Sequence, residues 1–129
     1  MVKCGGGKII NIGSGYSIKA AAGNAAYAAS KHGVVGLMRT LAMEVASMGI
    51  TVNSICPGPV HTLMNDRRIE YDANRKNVDF DEQAASLTAI GRRLEPEEIA
   101  PLAVYLASDE AACMTGQAVN ICGGTLMTG

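Results

Sequence analysis

Aromatic residues are scarce in this chain, and the scarcity narrows its possible functions. Trp is absent, and one Phe and four Tyr make up 4% of the 129 residues. Few rings are therefore available to stack on nucleic-acid bases. A basic block is missing as well, since 11 Lys and Arg stand against 12 Asp and Glu, for a formal net charge of −1. These two deficits argue against a nucleic-acid-binding protein.

Long apolar runs are also missing. Hydrophobic residues make up 48% of the sequence, but no stretch reaches the about 20 apolar residues that a membrane-spanning helix requires. The first residues, Met-Val-Lys-Cys-Gly-Gly-Gly, lack the apolar core of a signal peptide. We therefore expect a globular, cytoplasmic protein that does not act at a membrane.

The cysteines and histidines form no metal or redox motif. No two cysteines have Cys-x-x-Cys spacing, and His32 and His61 lack further ligands at a workable spacing. A disulfide would require an oxidising compartment, for which the sequence gives no other sign. We expect free thiols, no bound metal and two non-catalytic histidines. The four cysteines are Cys4, Cys56, Cys113 and Cys122.

Short apolar segments alternate with helical patterns in the first half of the chain. Residues 8–13 form an apolar run that predicts a buried strand. Residues 24–48 predict one long helix, with Asn24 as its N-cap and Gly49 as its stop. Residues 50–55 predict a second strand, which the following Cys-Pro-Gly-Pro segment ends.

The second half of the chain continues this alternation. Residues 62–94 are charged and predict one or two short surface helices. Pro96 and the neighbouring acids open another helix, which contains Pro101, and 118–122 predict a third strand. The order β-α-β-α-β indicates an α/β fold with a parallel sheet. Since three strands are few for a doubly wound sheet, we interpret the chain as one side of a larger, Rossmann-like domain.

Three residues suggest acid–base chemistry. Tyr27 and Lys31 are four positions apart in the long predicted helix, so their side chains share one face. A phenol ordinarily titrates near pH ~10, and a neighbouring ammonium group favours its phenolate form. Ser14 follows the first predicted strand, at the strand end where open α/β sheets place their sites. Its hydroxyl could stabilise charge on a reacting oxygen.

Each of these signals is weak by itself. Tyr-x-x-x-Lys spacing arises often by chance, and a Ser after a strand is commonly a turn or cap residue. The glycines of 5–7, followed by Lys8, imitate a phosphate-binding loop, but such a loop follows a strand and these glycines precede one. They fit the end of a helix and a tight turn better. Only the combination of motifs favours an active site.

Five ordered motifs resemble the C-terminal half of the short-chain dehydrogenase/reductase family, from its fifth strand onward. Residues 7–14 (GKIINIGS) resemble the strand that ends in the family's catalytic serine, and 27–31 (YAASK) resemble its Tyr-x-x-x-Lys. Residues 52–62 (VNSICPGPVHT) resemble its sixth strand and Pro-Gly-x-x-x-Thr turn. The late helix and the approach to the last strand are matched by Gly91-Arg92, 96–100 (PEEIA), 106–108 (LAS) and 115–117 (TGQ).

The resemblance implies a role for each matching residue. Tyr27 would be the general acid and base and would also contact the cofactor. Lys31 would activate Tyr27 and bind the nicotinamide ribose, and Ser14 would orient the substrate carbonyl. The cofactor would be NAD or NADP, and the substrate a small-molecule alcohol or carbonyl compound. Contacts to the nicotinamide and a nearby phosphate would come from the turn after the sixth strand, through Pro57, Gly58, Val60 and Thr62.

The resemblance also implies a lid and an assembly. Residues 63–94 would be the substrate lid of a single domain that covers 1–129. The family often forms homotetramers, partly through the helix of its catalytic tyrosine. The small residues on one side of that helix would allow close approach of another helix; they are Ala25, Ala29, Gly33 and Gly36.

Two features depart from the family's pattern. Gly13 and Cys122 stand where the family commonly has Ser and Asp, respectively, at positions outside the proposed chemistry. The glycine-rich turn, the residue that selects between the cofactors and the active-site asparagine have no counterpart in the sequence. We therefore expect the chain alone to bind dinucleotide weakly and to be inactive. The alternative is a non-catalytic binding or assembly module that retains family residues.

Overall fold

Three parallel strands form the sheet in the computed structural model, which describes residues 1–127. They are β1 (Gly7–Ile12), β2 (Ile50–Pro57) and β3 (Ala118–Ile121), in the order β1-β2-β3. Gly7 pairs with Ile50 at the start of the register between the first two strands, and Ser54 pairs with Ala118 at the start of the second. The predicted parallel α/β arrangement is confirmed.

Helices connect these strands and flank the sheet. They are α1 (Ala25–Val45), α2 (Leu63–Lys76), α3 (Phe80–Ala85) and α4 (Pro96–Ala107). Single 3-10 turns cover Val2–Cys4, Gly15–Ser17, Ala46–Met48 and Asp109–Ala111. Two helices therefore lie in the charged segment between residues 62 and 94, as predicted.

The central strand has a core on each face. Residues of β2 are buried along almost its whole length, which is typical of a parallel strand covered on both sides. On one face, Val52 packs with Val35 and Met38 of α1. On the other, Ile55 packs with Leu106 of α4. The sheet is thus held between α1 and α4, and its carboxyl ends lie at one edge.

Two predictions about α1 are corrected. The helix does not run to Met48, because the α-helical hydrogen bonding ends at Val45 and a 3-10 turn follows. Gly49, with φ 70°, ends that turn in the left-handed conformation, which glycine adopts without steric cost. Asn24 occupies the N-cap position, but its side chain does not cap the helix and instead donates to the Ala22 carbonyl.

Strand boundaries also differ slightly from the predicted ones. The first strand spans 7–12 instead of 8–13, and the third ends at Ile121 instead of Cys122. The second strand continues through Cys56 to Pro57 because its partner β3 pairs with both residues. Proline fits there as the last residue of the strand.

Two further features concern membrane-spanning helices and the free side of β1. Among residues 1–127, no helix is both long and apolar enough to cross a membrane. Within the same residues, β1 pairs on one side only, with β2, so its other side is an open edge. The predicted domain runs to residue 129, and positions 128–129 lie outside the described residues.

Candidate active site

Ser14 lies just beyond the carboxyl end of β1. Gly13 continues the strand pairing by donating its N–H to the Ile55 carbonyl, at 2.7 Å. The next residue, Ser14, is buried, with 8% of its surface exposed. It begins the 3-10 turn Gly15–Ser17 as the N-cap, and its Oγ accepts the N–H of Tyr16 at 3.2 Å. The predicted catalytic serine is therefore held between a strand and a turn.

Tyr27 lies in the first turn of α1, which packs on the turn that follows Ser14. Its ring meets the ring of Tyr16 edge to face, with centroids 5.9 Å apart and planes 81° apart. Edge-to-face contact is the arrangement that aromatic quadrupoles favour. Tyr16 therefore connects the loop after β1 to the first turn of α1.

Lys31 connects the same helix to the strand. Its Nζ donates to the Ile12 carbonyl at 3.1 Å and lies 5.8 Å from the centroid of the Tyr27 ring. One ammonium group thus contacts both the last residue of β1 and the tyrosine one helical turn away. The structure brings the three predicted residues, Ser14, Tyr27 and Lys31, to a single edge of the sheet.

A second cation extends this arrangement. Lys19 Nζ lies 5.8 Å from the centroid of the Tyr16 ring, within the range of a cation–π contact. Two lysines therefore flank a pair of tyrosine rings, and both favour negative charge nearby. Such a setting suits an oxygen that gains charge during a reaction.

The turn after β2 lies at the same edge. Gly58 donates its N–H to the Ile121 carbonyl at 3.0 Å. A Cβ at this position would lie 2.7 Å from Cα of Cys122 and 2.8 Å from its carbonyl oxygen. Only glycine permits this close approach of two backbones, which fixes the path of the turn that starts at Pro57.

Val60 and Thr62 connect this turn to the residues that follow. Val60 forms a parallel bridge with Leu94, and the neighbouring His61 donates its N–H to the Leu94 carbonyl at 2.9 Å. Thr62 is the N-cap of α2, and its Oγ1 accepts the Asn65 N–H at 3.3 Å. The four predicted cofactor contacts that follow Cys56 therefore lie on one continuous turn that leads into α2; the other two, Tyr27 and Lys31, lie on α1.

Both histidine side chains have partners outside the group formed by Ser14, Tyr27 and Lys31. His61 Nδ1 pairs with Glu95 Oε1 at 2.8 Å, and His32 Nδ1 lies 2.9 Å from the Ala28 carbonyl. All four cysteines are free. Within residues 1–127, no group of three or more His, Cys, Asp or Glu side chains is arranged to hold a metal ion.

The clearest electrostatic effect lies at the start of α4. Two hydrogen bonds from the Arg92 guanidinium, each 2.7 Å, and one from the Glu95 N–H lower the pKa of Glu98 to about 2. The hydrogen bond to Glu98 in turn raises the pKa of Arg92. Glu98 also forms a capping box with Glu95 around the first turn of α4, so these contacts belong to the frame of the fold.

The sequence interpretation missed two residues beside Ser14. Tyr16 contacts the Tyr27 ring, and Ser17 accepts the Ser14 N–H through its Oγ at 2.9 Å. A signal for Ser17 was present, since two serines three positions apart match the spacing of a capping box. No comparable pattern identifies Tyr16, because a ring contact between two elements depends on tertiary packing.

Comparison with known proteins identifies the family. A family model described as Enoyl-(Acyl carrier protein) reductase matches residues 1–125. The chain belongs to the short-chain dehydrogenase/reductase family. The resemblance inferred from the motifs is thereby confirmed.

Two curated relatives illustrate this membership. D-beta-hydroxybutyrate dehydrogenase from Rhizobium meliloti is 41% identical over 128 residues, which cover 96% of this chain and 50% of the relative. 3-Oxoacyl-(acyl-carrier-protein) reductase from Vibrio harveyi is 41% identical over 129 residues, covering 98% of this chain and 49% of the relative. The chain spans about half the length of the curated relatives it matches.

A solved structure supports the fold. A variant of actinorhodin polyketide ketoreductase with NADPH superimposes with a TM-score of 0.90 and 39% sequence identity, over 97% of this chain and 49% of that one. The chain therefore forms part of a Rossmann-like α/β domain of the short-chain dehydrogenase/reductase family, as predicted.

Proposed function

We propose that this chain is the catalytic part of an NAD(P)-dependent oxidoreductase that interconverts an alcohol and a ketone. Family membership supports oxidoreductase chemistry in general. The observation that carries the specific proposal is the position of Lys31. Its ammonium group contacts both the Tyr27 ring and the end of the strand that leads to Ser14.

Tyr27 is the proposed general acid and base. In the reductive direction its hydroxyl gives a proton to the carbonyl oxygen of the substrate, and in the oxidative direction the phenolate takes that proton back. Lys31 lies close enough to stabilise negative charge on Tyr27. Since 40% of the Tyr27 surface is exposed, the hydroxyl is available to a substrate at the sheet edge.

Ser14 is the proposed hydrogen-bond donor to the same substrate oxygen. Its Oγ already accepts the Tyr16 N–H, so the hydroxyl proton is free to point toward a substrate. A fixed donor of this kind stabilises charge that develops in the transition state. Ser14 and Tyr27 thus act on one oxygen from two different elements.

The cofactor class is NAD or NADP, and when bound it supplies or accepts the hydride. The chemistry of the donors fits such a group: Lys31 offers an ammonium, and Thr62 lies at the start of α2, where backbone N–H groups favour phosphate. Pro57, Gly58 and Val60 shape the turn that leads from β2 to Thr62. NADPH accompanies the ketoreductase structure, which supports this class without choosing between its two members.

The 63–94 segment is the proposed substrate lid. It leaves β2 at the site, forms α2 and α3, and returns to Leu94 beside Val60. Its end is also fixed to the loop after β3, where Ile90 donates its N–H to the Gly123 carbonyl at 3.2 Å. A segment that is anchored at both ends and exposes apolar side chains such as Leu63 and Met64 is suited to cover a bound substrate.

A homotetramer remains the proposed assembly, and the cytoplasm the proposed location. The small residues of α1 are exposed, and a Cβ at Gly33 or Gly36 would meet nothing within 4 Å. This face therefore has room for a second helix. The same observation favours the second candidate, a non-catalytic assembly module. Native mass spectrometry combined with turnover distinguishes them, because only the enzyme turns over its substrate in the assembled state.

Replacing Tyr27 by Phe tests the proposal. The assay uses an assembly that contains this chain and binds NAD(P), called the cofactor-competent protein below. Loss of the acid–base hydroxyl should lower kcat at least about 100-fold, the lower end of what such catalysis contributes. Tyr105→Phe is a matched control on α4, because Tyr105 is 41% exposed compared with 40% for Tyr27. Its turnover should be unchanged. Unaltered turnover in Tyr27→Phe would refute the proposed role.

The chain by itself should bind neither NADH nor NADPH with micromolar affinity, because it lacks a glycine-rich turn that could take the pyrophosphate. A calorimetric titration of the 129-residue chain measures this directly. Saturation at micromolar dinucleotide would show that the described residues hold the cofactor unaided.

A further inference from the structure

We infer that Ser17 is a positioning residue for Ser14 and that Gly13 provides the space it occupies. Ser17 is almost completely buried, with 2% of its surface exposed. Its Oγ accepts the N–H of Ser14 at 2.9 Å. A buried backbone N–H without a partner is costly, so this hydroxyl fixes the backbone of Ser14 just beyond β1.

The bond is one half of a reciprocal pair. Ser17 accepts from the backbone of Ser14, while Ser14 Oγ accepts from the backbone of Tyr16. The two serines thereby close the 3-10 turn Gly15–Ser17 from both ends. Because the Ser14 side chain serves as an acceptor in this turn, its remaining freedom is the direction of its own hydroxyl proton.

Gly13 makes this arrangement possible. A Cβ on Gly13 would lie 2.8 Å from Ser17 Oγ, 2.8 Å from Ser54 Oγ and 3.0 Å from Cys56 Sγ. Ser54 and Cys56 are fully buried in β2, so they have little room to move away. Any side chain at position 13 would therefore push against the hydroxyl that holds Ser14.

The consequence for catalysis rests on the proposed role of Ser14. If Ser14 orients the substrate oxygen, a shift of its backbone misplaces the hydroxyl without changing the chemistry of any group. Ser17 would then affect turnover only through Ser14. This dependence separates a positioning residue from one that contributes to stability alone.

Amide hydrogen exchange, measured by NMR on the native protein, tests the structural part. Ser17→Ala should speed exchange of the Ser14 amide by about 10-fold, as expected for loss of a single hydrogen bond, while the β2 amides stay protected. Ser108→Ala is the control, since Ser108 Oγ donates to the Tyr105 carbonyl at 2.7 Å, away from the site. Unchanged exchange at Ser14 would overturn the inference.

Two further variants keep the test decisive if Ser17→Ala does not fold. Ser17→Cys keeps a side chain of similar shape but is a weak acceptor, so the Ser14 amide should again exchange faster. Gly13→Ala should produce the same signature, because its Cβ displaces Ser17 Oγ. In the Ser17→Ala background, Gly13→Ala should cost less stability than in the native chain. Additive effects would contradict a shared space.

Kinetics of the cofactor-competent protein test the catalytic part. Ser17→Ala should lower kcat about 10-fold, within what misplacement of a catalytic group produces, and leave KM nearly unchanged. In a Ser14→Ala background the same substitution should have no further effect. An equal loss in both backgrounds would refute action through Ser14. Should Ser14→Ala alone leave turnover intact, the proposed function fails while the exchange result still judges the hydrogen bond.

Discussion

The edge that carries Ser14, Tyr27 and Lys31 is held together differently from the 63–94 segment beside it. At the edge, buried serines bond to backbone groups, two rings meet, and one lysine bonds to a strand carbonyl. The 63–94 segment relies on charged side chains, including an Arg93–Asp66 pair and an Arg68–Asp72 pair at 2.8 Å. It also exposes large apolar groups, such as Met64, with 75% of its surface accessible.

This difference contrasts a proposed site whose geometry is fixed by buried polar contacts with a proposed lid whose ion pairs each include a side chain that is almost half exposed. Short bonds to the backbone and buried side chains permit one arrangement, because any displacement leaves a polar group without a partner. Ion pairs near the surface are individually weak and can exchange partners. A site of buried, hydrogen-bonded groups next to a segment with surface charge and exposed apolar side chains is the arrangement expected for a reaction site and its proposed lid.

The largest effect is expected where the edge depends on close backbone approach. Gly58→Ala places a Cβ 2.7 Å from Cα of Cys122, so the ends of β2 and β3 must separate. We expect a loss of about 3 kcal/mol in the free energy of unfolding, measured by urea denaturation. In contrast, Gly33→Ala meets nothing within 4 Å in α1 and should stabilise the chain by about 0.5–1 kcal/mol. Equal stability of the two variants would contradict this explanation.

A smaller effect should follow from removing the most buried ion pair of the 63–94 segment. The Arg93 side chain is 9% exposed, bonds to Asp66 and lies 5.5 Å from the Phe80 ring centroid. Arg93→Met should cost about 2 kcal/mol, in the range of hydrogen bonds to charged groups. Arg92→Met removes a pair in which the arginine side chain is 56% exposed and should therefore destabilise the fold less than Arg93→Met. If Arg92→Met proved the more damaging, burial would not be what distinguishes the two pairs.

The ring contact between Tyr16 and Tyr27 should contribute less again. Tyr16→Leu removes an edge-to-face pair with centroids 5.9 Å apart and should lower stability by about 1 kcal/mol beyond lost burial. Tyr16→Phe keeps the ring and should match the native chain in thermal denaturation. A deficit of the same size in both variants would assign the effect to the Tyr16 hydroxyl instead of the ring.

The smallest effect concerns pH at the start of α4, just after the 63–94 segment. Hydrogen bonds from Arg92 lower the pKa of Glu98 from 4.5 to about 2. Because the pKa is lower in the folded state, the pair stabilises the fold above pH 4.5, and this stabilisation is lost as the pH falls toward 2. NMR titration of the Glu98 carboxyl should show the low midpoint, and Arg92→Gln should return it toward 4.5. A midpoint near 4.5 in the native chain would show that the pair does not form in solution.

Much of the frame follows from the sequence because its signals are local. The β-branched and apolar residues of β2 and the glycine at position 49 predict elements that the structure contains. The site trio could be proposed because helical spacing alone places Tyr27 and Lys31 on one face. Their placement near Ser14 is expected because α1 begins after the short loop that leaves the carboxyl end of β1, where open α/β sheets place their sites.

Most of what the sequence did not predict depends on tertiary contacts, and one feature depends on a local side-chain bond. The continuation of β2 through Cys56 and Pro57 is due to pairing with β3, which is distant in the sequence. The failure of Asn24 to cap α1 reflects its local bond to the Ala22 carbonyl. Side chains of β2 limit the space at Gly13. Because β2 is distant in sequence, no pattern of residues near position 13 predicts this limit.

The most direct test asks whether Ser14 and Tyr27 act on the same substrate oxygen. Turnover is measured for Ser14→Ala, Tyr27→Phe and the double variant in the cofactor-competent protein. Residues that act as a unit lose activity non-additively, so the double variant should be about as slow as the slower single variant. If the two losses in kcat multiplied instead, the residues would act independently, and the account of one shared site would be wrong.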